Sequence, residues 1–501
     1  MSGGWKGPLH EVGVCRYEIP PDYKPGMRTA GRIYARPDML ADIVADEAPE
    51  QVANVACLPG ITGLSLAMPD IHWGYGFAIG GVAAFDAQEG IISPGGVGYD
   101  INCGMRLVRT DLTLADLSGR TETLMDALAE AVPAGVGSEG PLKLSRADLD
   151  EVLVKGAVWA VEHGYGWPED LERLEEGGAM AGADPSKVSD EAARRGAPQL
   201  GTLGSGNHFV EVQVVEDIYD ERLARAFGLE KNCVVVMLHS GSRGLGHQVG
   251  TDYLAAMDPG RSGTKGGRGA ADGPIVDLPD RQLACAPLRS ALGRAYFAAM
   301  VGAANYAWAN RTLLVQWVRE AFARVFGRPA RELGMHVVYD VAHNIAKLER
   351  HRRTDSASGG AGERLLCVHR KGATRAFPAG HPDVVPLYRA TGHPVLVPGN
   401  MGTSSYVLVG TELALRETFG STCHGAGRRL SRSAAKKQVR GAELRKQLAG
   451  QGIVVRSASD AGLAEEAPFA YKDVDVVVDT AERAGLSRRV ARMRPVGVLK
   501  G

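Results

Sequence analysis

One cysteine, one aspartate and four histidines of this chain lie beside glycines or an asparagine, on segments rich in turns. Cys103 and Asp100 share the glycine-rich run 95–106, and the histidines follow far downstream at positions 208, 239, 343 and 424. Thiols, carboxylates and imidazoles are the side chains with which proteins hold transition metals. The combination predicts a metal site and favours an enzyme.

Each of these residues also has an ordinary structural interpretation. A cysteine in a turn is more often a small buried apolar residue, a lone histidine near a strand end is more often structural, and Asp100 fits an Asx turn. A functional interpretation is favoured because the same pattern recurs in several places. Gly-Ser-Gly-Asn-His at 204–208, His-Ser-Gly-Ser-Arg-Gly at 239–244 and Cys-His-Gly-Ala-Gly-Arg-Arg at 423–429 each place a ligand-type residue beside glycines.

The elements that must hold these side chains are short β-branched runs alternating with amphipathic stretches. Strands are predicted at 234–238, 337–339, 365–368 and 474–478. Helices are predicted at 124–132, 149–163, 313–325 and 434–448. The uncharged run 295–310 is shorter than the roughly 20 residues that span a bilayer, so it predicts a buried helix. The fold class is therefore mixed α/β (α+β), with central β-sheets flanked by helices.

Composition is that of a protein with a substantial core. Of 501 residues, 45% are hydrophobic and 23% charged, and the net charge is −1. We expect one large catalytic body over 1–501, with two domains as the alternative, since nothing in the composition marks a break. Surface loops or inserts are predicted near 177–196, 258–273 and 356–362.

The cysteines and the N-terminus bear on location. The seven cysteines show no paired spacing and no Cys-x-x-Cys, which argues against a disulfide framework and a zinc knuckle. The N-terminus lacks the apolar core of a signal peptide. A cytoplasmic location without a membrane partner is the expectation.

Standard nucleotide-binding motifs are missing. Gly-Lys never occurs, which excludes a Walker A loop, and neither a Gly-x-Gly-x-x-Gly fingerprint after a strand nor His-Glu-x-x-His is present. The Lys-x-Asp-Gly of nucleotidyl-lysine ligases is absent as well. Local charge is uneven, because a basic stretch follows His424 and offers a docking surface for a polyanion. Its members are Arg428, Arg429, Arg432, Lys436, Lys437, Arg440, Arg445 and Lys446.

Longer motifs carry a resemblance. The chain contains Met-Pro-Asp-Ile-His at 68–72, Gly-Tyr-Asp-Ile-Asn-Cys-Gly at 98–104, Gly-Ser-Gly-Asn-His-Phe-Val-Glu at 204–211, Arg-Lys-Gly-Ala-Thr-Arg-Ala-Phe-Pro at 370–378, Pro-Gly-Asn-Met-Gly-Thr-Ser-Ser-Tyr at 398–406 and His-Gly-Ala-Gly-Arg at 424–428. Together with Ala-His-Asn at 342–344 and the terminal Gly-Val-Leu-Lys-Gly, these segments resemble the RtcB family of RNA-splicing ligases over nearly the whole chain.

The resemblance implies an enzyme that uses GTP and two Mn²⁺ ions to join an RNA 3′-phosphate or 2′,3′-cyclic phosphate to a 5′-hydroxyl, in tRNA splicing or RNA repair. It implies that His424 becomes guanylylated, and that Arg243 and Arg428 clamp phosphate. One metal would be held by Asp100, Cys103 and His208, the other by Cys103, His239 and His343. Thiolate and imidazole ligands alone would favour zinc; only the carboxylate and the resemblance favour manganese.

The resemblance also implies a nucleotide site, in which a carboxylate such as Glu211 would favour guanine over adenine. The residues implied to bind GTP are Asn207, His208, Phe209, Val210, Glu211, His343, Asn344, Pro398, Gly399, Asn400, Met401, Ser405, His424, Gly425, Ala426, Gly427, Tyr471 and Lys500.

The expected macromolecular partner is RNA, with an archease-like activator as a further candidate and no DNA. RNA is expected along the basic stretch after His424 and near Arg370, Lys371 and Arg375, through contacts to its backbone. Two alternatives come from other classes: a dinuclear metallophosphoesterase acting on RNA ends, and a non-catalytic RNA-binding relative. The first leaves His424 without a role, and the second conflicts with the presence of every matched ligand.

Overall fold

The computed structural model describes residues 4–258, 275, 277–354 and 361–501. Its strands are β1 (His10–Gly13), β2 (Arg16–Ile19), β3 (Gly31–Tyr34), β4 (Ile61–His72), β5 (Ile79–Asp86), β6 (Ile91–Ile92), β7 (Gly104–Thr113), β8 (Phe209–Ile218), β9 (Cys233–Ser240), β10 (Ala286–Pro287), β11 (Val337–Ala342), β12 (Asn344–Thr354), β13 (Ala361–Lys371), β14 (Ala373–Arg375), β15 (Pro394–Val397), β16 (Ser405–Gly410), β17 (Ser421–Cys423), β18 (Val454–Ser457) and β19 (Ser487–Lys500).

The α-helices are α1 (Leu40–Ala45), α2 (Ala48–Val55), α3 (Thr121–Ala131), α4 (Arg146–Lys155), α5 (Ala157–Glu162), α6 (Asp190–Gly196), α7 (Glu221–Ala226), α8 (Arg243–Met257), α9 (Ala291–Phe326), α10 (Glu412–Glu417), α11 (Arg432–Lys436), α12 (Gly441–Gly450), α13 (Asp460–Glu465) and α14 (Val474–Arg483).

Two large sheets hold most of these strands. One has the order β1-β2-β3-β4-β5-β13-β12, and the other has the order β11-β7-β9-β8-β19-β16-β15, with β18 added in parallel beside β19. Most neighbouring strands are antiparallel, and helices pack around the sheets. The predicted mixed α/β class is confirmed.

One edge of the second sheet collects four strand ends. Gly104 at the start of β7 pairs with Ser240 at the end of β9 and with Ala342 at the end of β11. Phe209 at the start of β8 pairs with His239. Because neighbouring antiparallel strands begin and end at the same edge, residues far apart in sequence meet there.

The predicted strands at 234–238, 337–339 and 365–368 are confirmed as parts of β9, β11 and β13. The strand predicted at 474–478 is wrong, because this segment begins α14. The Asp473 side chain accepts from the backbone N–H of Asp475 and caps the helix, and the buried residues Val474, Val477 and Ala481 recur with helical spacing. The run of valines belongs to a helix face, with aspartates on the other side.

The helix prediction at 124–132 is confirmed within α3 up to Ala131, and Val132 caps its end. The predicted helix 149–163 is two helices, α4 and α5, because Gly156 between them adopts φ 56° and a Cβ there would lie 2.3 Å from the Gly178 carbonyl oxygen. Likewise 434–448 is divided between α11 and α12, with 437–440 outside both.

The helices predicted at 295–310 and 313–325 are parts of one helix, α9, of 36 residues. Arg311 marks the end of the uncharged run, yet it is buried in mid-helix, where its guanidinium pairs with Asp340 at 2.7 Å. No helix in the described part of the chain has the length and apolar character needed to cross a membrane.

The predicted loops fare differently. Within 177–196, residues 190–196 form α6, which is capped by Ser189 and buries Ala192 and Ala193, so this part is helix rather than surface loop. The segments 258–273 and 356–362 lie outside the described residues, apart from 258 and the first residues of β13.

Candidate active site

Asp100, Cys103 and His208 form a group that could hold a metal ion, with one donor atom from each within 4.8 Å of the others. Cys103 Sγ lies 3.5 Å from His208 Nε2, and His208 Nε2 lies 2.9 Å from Asp100 Oδ2. Cys103 directly precedes β7 and His208 directly precedes β8, so the strand ends described above bring them together.

The other two predicted ligands adjoin this group. His239 Nε2 lies 3.0 Å from Cys103 Sγ, and the rings of His239 and His343 are 5.4 Å apart. His343 Nδ1 lies 3.1 Å from Thr374 Oγ1, whereas its Nε2 is buried and has no hydrogen-bond partner among the described residues. A buried nitrogen of this kind is a candidate for binding a ligand absent from the chain itself.

The protonation pattern suits a cation. Burial lowers the pKa of His239 and of His343 far below the ordinary value, which keeps both imidazoles neutral. Burial raises the pKa of the Cys103 thiol well above its ordinary value, and Asp100 adds to this. Burial alone would raise the pKa of Asp100, but His208 and Arg243 lower it to about 2. Neutral imidazoles, a carboxylate and a thiol that needs a nearby cation to ionise together fit a bound metal.

A backbone carbonyl fixes the orientation of the His208 ring. Its Nδ1 lies 2.8 Å from the carbonyl oxygen of Leu203, which can only accept a hydrogen bond. Nδ1 therefore carries the proton and Nε2 faces Cys103 and Asp100, the arrangement in which backbone carbonyls fix metal-binding histidines.

A buried ion network supports the ligand loop, and sequence reasoning missed it. Arg311 donates to the Asn102 carbonyl at 2.8 Å and to the Ser240 carbonyl at 3.0 Å. Its Nε bonds Asp340, which also binds Arg106. Asn102 itself adopts φ 50°. The network thereby connects the backbone beside Cys103 to the backbone beside His239.

His424 is held by a carboxylate that the sequence did not identify. Asp70 Oδ2 lies 2.5 Å from His424 Nδ1 and also accepts from the His424 backbone N–H at 2.9 Å. Burial alone would raise the pKa of Asp70, but His424 lowers it below its ordinary value. An ionised Asp70 can only accept, so Nδ1 bears the proton and Nε2 is left with the lone pair of the neutral ring.

Small residues follow His424 because the chain passes close to Asp70. Gly427 has φ 73°, and a Cβ there would lie 2.4 Å from the Asp70 carbonyl oxygen. The Ala426 N–H donates to the Pro398 carbonyl at 3.1 Å. This turn joins the His424 segment to the Pro398 segment, two of the motifs predicted to bind nucleotide.

A cavity of about 380 Å³ joins these groups. The predicted site residues that line it are Asp100, Cys103, Asn207, Phe209, Glu211, His239, His343, Asn344, Pro398, Gly399, Asn400, Met401, His424, Gly425, Ala426, Gly427, Arg428, Tyr471 and Lys500. Motifs from distant parts of the chain thus converge on one space.

Four predicted site residues do not line the cavity but lie behind its walls. Ser405 accepts a hydrogen bond from Gln213 at 3.0 Å, and Val210 is fully buried in the sheet. His208 is a member of the metal group. Arg243 lies behind His208, with its Nη1 3.5 Å from His208 Nδ1, and burial lowers its pKa although Asp100 opposes this.

Glu211 and Lys500, side chains of opposite charge type, lie at one end of the cavity. Burial raises the pKa of Glu211 to about 7, opposed by Gln213, which donates to Glu211 at 2.7 Å, and by Lys500. Lys500 Nζ lies 5.5 Å from the centre of the Phe209 ring and 4.0 Å from Glu466. Burial lowers the pKa of Lys500, opposed by Glu466 and Glu211.

Glu466 organises this end and was absent from the predicted residues. Only 1% of its surface is exposed, and it forms ion pairs at 3.2 Å with both Arg428 and Arg432. The Tyr471 hydroxyl donates to it. Glu466 lies outside the motifs, so no sequence signal pointed to it.

The expectation that Arg370 and Arg375 contact RNA is wrong. Both are buried, Arg370 paired with Glu349 at 2.7 Å and Arg375 with Glu176 at 2.8 Å. Arg370 compensates the charge of the buried Glu349 carboxylate, and neither guanidinium is available at the surface. Lys371 differs, because it lines the cavity and burial lowers its pKa to about 7.

Part of the basic stretch after His424 is also paired with acids. Lys436 binds Glu465 at 2.7 Å and Arg445 binds Asp460 at 3.0 Å. Lys437, Arg440 and Lys446 are exposed. The surface available to a polyanion is therefore smaller than the sequence implied.

A cavity that joins candidate metal ligands to a histidine with a free ring nitrogen is the site of an enzyme, and comparison with known proteins gives its class. A family model described as tRNA-splicing ligase RtcB matches residues 51–501. A tRNA-splicing ligase RtcB of Thermococcus kodakarensis is 56% identical over 495 residues, which cover 99% of each chain. That of Archaeoglobus fulgidus is 54% identical over 497 residues, again 99% of each chain. That of Methanococcus maripaludis is 50% identical over 496 residues, 99% of this chain and 100% of the relative.

The chain belongs to the RtcB family of tRNA-splicing ligases. The predicted class, an RNA ligase, is thereby confirmed.

Proposed function

We propose that this protein joins an RNA 3′-phosphate or 2′,3′-cyclic phosphate end to a 5′-hydroxyl end through a guanylylated His424, with GTP as the second substrate. The observation that carries the proposal is the 2.5 Å contact of Asp70 with His424 Nδ1 at the wall of a cavity that also holds Glu211 and Lys500. A carboxylate accepts from N1–H and the exocyclic amine of guanine, and an ammonium donates to its O6, an edge that adenine lacks.

In the first step, the lone pair of His424 Nε2 attacks the α-phosphorus of GTP. An N–P bond forms as the bond to the β-phosphate oxygen breaks, and pyrophosphate leaves. Asp70 keeps the ring in the attacking orientation and offsets the positive charge that develops on it. Arg428 lines the cavity and is ion-paired with Glu466, so binding phosphate oxygens requires it to exchange that partner.

In the next step an oxygen of the RNA 3′-phosphate attacks the phosphorus of the histidine adduct, and the N–P electrons return to Nε2. The RNA then carries GMP on its 3′-phosphate. The 5′-hydroxyl of the second RNA attacks the 3′-phosphorus and loses its proton, and GMP leaves. A 2′,3′-cyclic end is first opened by water to the 3′-phosphate.

We propose that the candidate metal ligands bind two ions, both Mn²⁺. Asp100, Cys103 and His208 would hold one, and Cys103, His239 and His343 the other. The unpaired Nε2 of His343 and the neutral His239 are the observations that favour binding. Bound divalent cations supply charge that polarises phosphoryl oxygens and ionises the Cys103 thiol.

The test is incubation with α-labelled GTP and manganese, followed by a search for a covalent adduct on the protein. The label is expected on His424, labile in acid and persistent in alkali, as a phosphorus–nitrogen bond to histidine requires. His424→Ala should carry none, whereas His10→Ala, which alters an exposed histidine of β1, should label as the wild type does. Label that survives in His424→Ala would contradict the proposal.

The same experiment separates the alternatives. A metallophosphoesterase would open cyclic phosphate ends without forming a GMP adduct, and a non-catalytic RNA-binding relative would do neither. An archease-like activator, if this protein uses one, would raise the number of turnovers per enzyme without changing where the label resides.

A further inference from the structure

A groove adjoins the catalytic cavity and has no part in the chemistry described above. Its volume is about 800 Å³, within the range of about 300–1,000 Å³ that is typical of ligand sites. His72 and Arg428 line both the groove and the cavity, so the two are continuous. We call it the Trp73 groove; Phe469, Arg429 and Lys472 are among the other residues that line it.

Two aromatic side chains in the groove are exposed. Trp73 is 44% and Phe469 42% accessible. A single exposed aromatic residue is ordinary on a protein surface. Here, two exposed aromatic rings line the same groove beside the catalytic cavity, whose proposed substrate has an unpaired end. Stacking on nucleobases requires exposed aromatic rings of this kind.

The backbone beneath Trp73 is fixed. Its N–H donates to Asp46 at 2.9 Å. The carbonyl of the next residue, Gly74, accepts a hydrogen bond from the side chain of Gln51 at 2.6 Å, and the Gly74 N–H donates one back at 2.9 Å; Gln51 is fully buried. An exposed ring on a rigid support loses little conformational entropy when a ligand covers it.

Phe469 is anchored comparably. It lies in a short 3-10 turn, Pro468–Ala470. The carbonyl of Ala470 accepts from the Arg429 N–H at 2.8 Å, and the Pro468 carbonyl accepts from the Asn400 side chain at 3.5 Å. Asn400 lines the catalytic cavity. The backbone of the turn that carries Phe469 thus contacts a residue of the cavity wall, while the ring itself is not part of the cavity lining.

The basic and acidic side chains that line the groove nearly balance in charge. This balance bears on whether the groove contacts the bases or the phosphates of a nucleotide. Arg429 is paired with Asp42 at 3.0 Å, and Lys472 donates to backbone carbonyls of Pro69 and Ile71. Asp46 and Glu47 line the same groove. With its cations engaged and acids present, the groove offers little attraction to phosphate, so bases rather than backbone provide the contact.

We infer that the Trp73 groove holds unpaired terminal nucleotides of the RNA being joined, with bases stacked on Trp73 and Phe469. The inference rests on the proposed function, because it requires an RNA end to reach His424. It assigns these two rings to RNA binding and not to the reaction with GTP.

The first test compares Trp73→Ala and Phe469→Ala with the wild type in binding and ligation of RNA ends. Each variant should bind RNA about tenfold more weakly, which corresponds to about 1.4 kcal/mol. Trp73→Phe should retain most of the affinity. Tyr219→Ala removes a ring with 45% exposure outside the cavity and the groove, and it should bind as the wild type does. All variants should form the GMP adduct at the wild-type rate, which shows that they are folded.

The second test asks whether loss of base stacking causes the weaker RNA binding of the variants. RNA whose terminal bases are replaced by abasic nucleotides should bind wild type and Trp73→Ala equally, since the interacting partner is gone. With ordinary RNA, the tenfold difference should persist as salt is raised, because stacking is not screened as phosphate contacts are.

If Trp73→Ala and Phe469→Ala bind RNA with the same affinity as the wild type, the inference is overturned. This holds even if a variant no longer responds to a protein activator, because the groove would then be a protein-binding site. A loss that is the same with abasic RNA also overturns it. Failure of the wild type to form an adduct would instead contradict the proposed function, and the RNA-binding comparison would still decide whether the groove binds RNA.

Discussion

A single buried carboxylate, Asp70, decides how His424 is presented. Asp70 is fully buried, and its second oxygen, Oδ1, has no hydrogen-bond partner in the described part of the chain. A buried carboxylate is costly unless it is paired, so its contacts with His424 are the compensation that the fold provides. This makes the pair sensitive to the charge of Asp70.

Replacing Asp70 with asparagine should therefore slow adduct formation while the protein stays folded. An amide has no charge to offset that of the ring and can hold the wrong tautomer, and the loss in an analogous histidine–aspartate pair is about 10⁴-fold. We expect a loss of about 10²–10⁴-fold in the single-turnover rate of labelling from GTP. Asp126→Asn, at an exposed carboxylate that binds Arg456, is the control. An unchanged rate in Asp70→Asn would show that His424 does not depend on this contact.

Cys103 is the one thiol in the described part of the chain that contacts candidate ligands of both proposed metals. Serine is a harder and far less acidic ligand. Cys103→Ser should lower bound manganese and abolish both labelling and ligation, with little change in the thermal unfolding of the metal-free protein. Cys285→Ser, at a buried cysteine outside the metal group, should keep its metal. Metal content and activity equal to wild type in Cys103→Ser would return this residue to the role of a core cysteine.

Glu211 predicts a pH dependence of guanine binding. Its pKa of about 7 means that the protonated form dominates in the free protein below that pH. One oxygen of this form is a donor, so it cannot accept from both N1–H and the exocyclic amine of guanine. Affinity should rise with pH and level off above about pH 7, with up to a tenfold loss for each unit below it. Guanosine is the suitable ligand, because it has no phosphate that titrates in this range. Glu211→Gln should flatten the profile, and a wild-type profile that is already flat would exclude the role of this carboxylate.

Among the elements, β19 shows how Lys500 is held. Lys500 is the last residue of this strand and pairs with Phe209 of β8 and with Ser457 of β18. The Gly501 N–H lies 3.4 Å from the His208 carbonyl oxygen. Removal of these residues would thus disturb the sheet as well as the cavity, so a side-chain substitution is the cleaner probe.

Lys500→Met keeps the length of the side chain and removes its charge. GTP affinity should fall by about 1.5–3 kcal/mol, the range for a hydrogen bond to a charged group, and the yield of adduct should fall with it. Manganese binding should persist, since Lys500 belongs to neither proposed ligand set. Titration of GTP at fixed manganese measures the change. Arg488→Met, which removes a charge from an exposed residue of the same strand, is the matched control and should bind GTP as the wild type does. Equal affinities of Lys500→Met and wild type would exclude Lys500 from guanine binding.

Strands formed by a continuous apolar run were predictable from the sequence. A segment in which valines alternate with aspartates was not. The strands at 234–238 and 337–339 are uniformly buried, which a continuous apolar run indicates. The segment 474–478 is equally rich in valine, but its helix is set by the Asp473 cap and by burial that includes Ala481. β-branched content alone could not decide between the two.

At the scale of the whole molecule, the sequence predicted residues that line one cavity but not their partners. Motifs identified the five candidate metal ligands and His424, whereas Asp70 and Glu466 act through contacts that only the folded chain creates. Asp70 and His424 are 354 positions apart. The prediction for Arg370 and Arg375 is wrong for the same reason: their partners, Glu349 and Glu176, could not be read from a basic motif.

The candidate metal ligands lie near the ends of four neighbouring strands of the second sheet, β11, β7, β9 and β8. A ligand that binds only the folded state stabilises it by about 2.7 kcal/mol at a concentration one hundred times its dissociation constant. For a chain of 501 residues this corresponds to a rise in Tm of about 2–3 °C. Manganese should therefore raise the Tm of the metal-free wild type and of Cys285→Ser by this amount, and leave that of Cys103→Ser nearly unchanged, because Cys103 belongs to both proposed ligand sets. His343→Ala keeps the set of Asp100, Cys103 and His208 and should show a smaller rise than the wild type. Differential scanning calorimetry across a manganese titration provides the measurement. An equal rise in Cys103→Ser and the wild type would place the stabilising metal away from these strand ends.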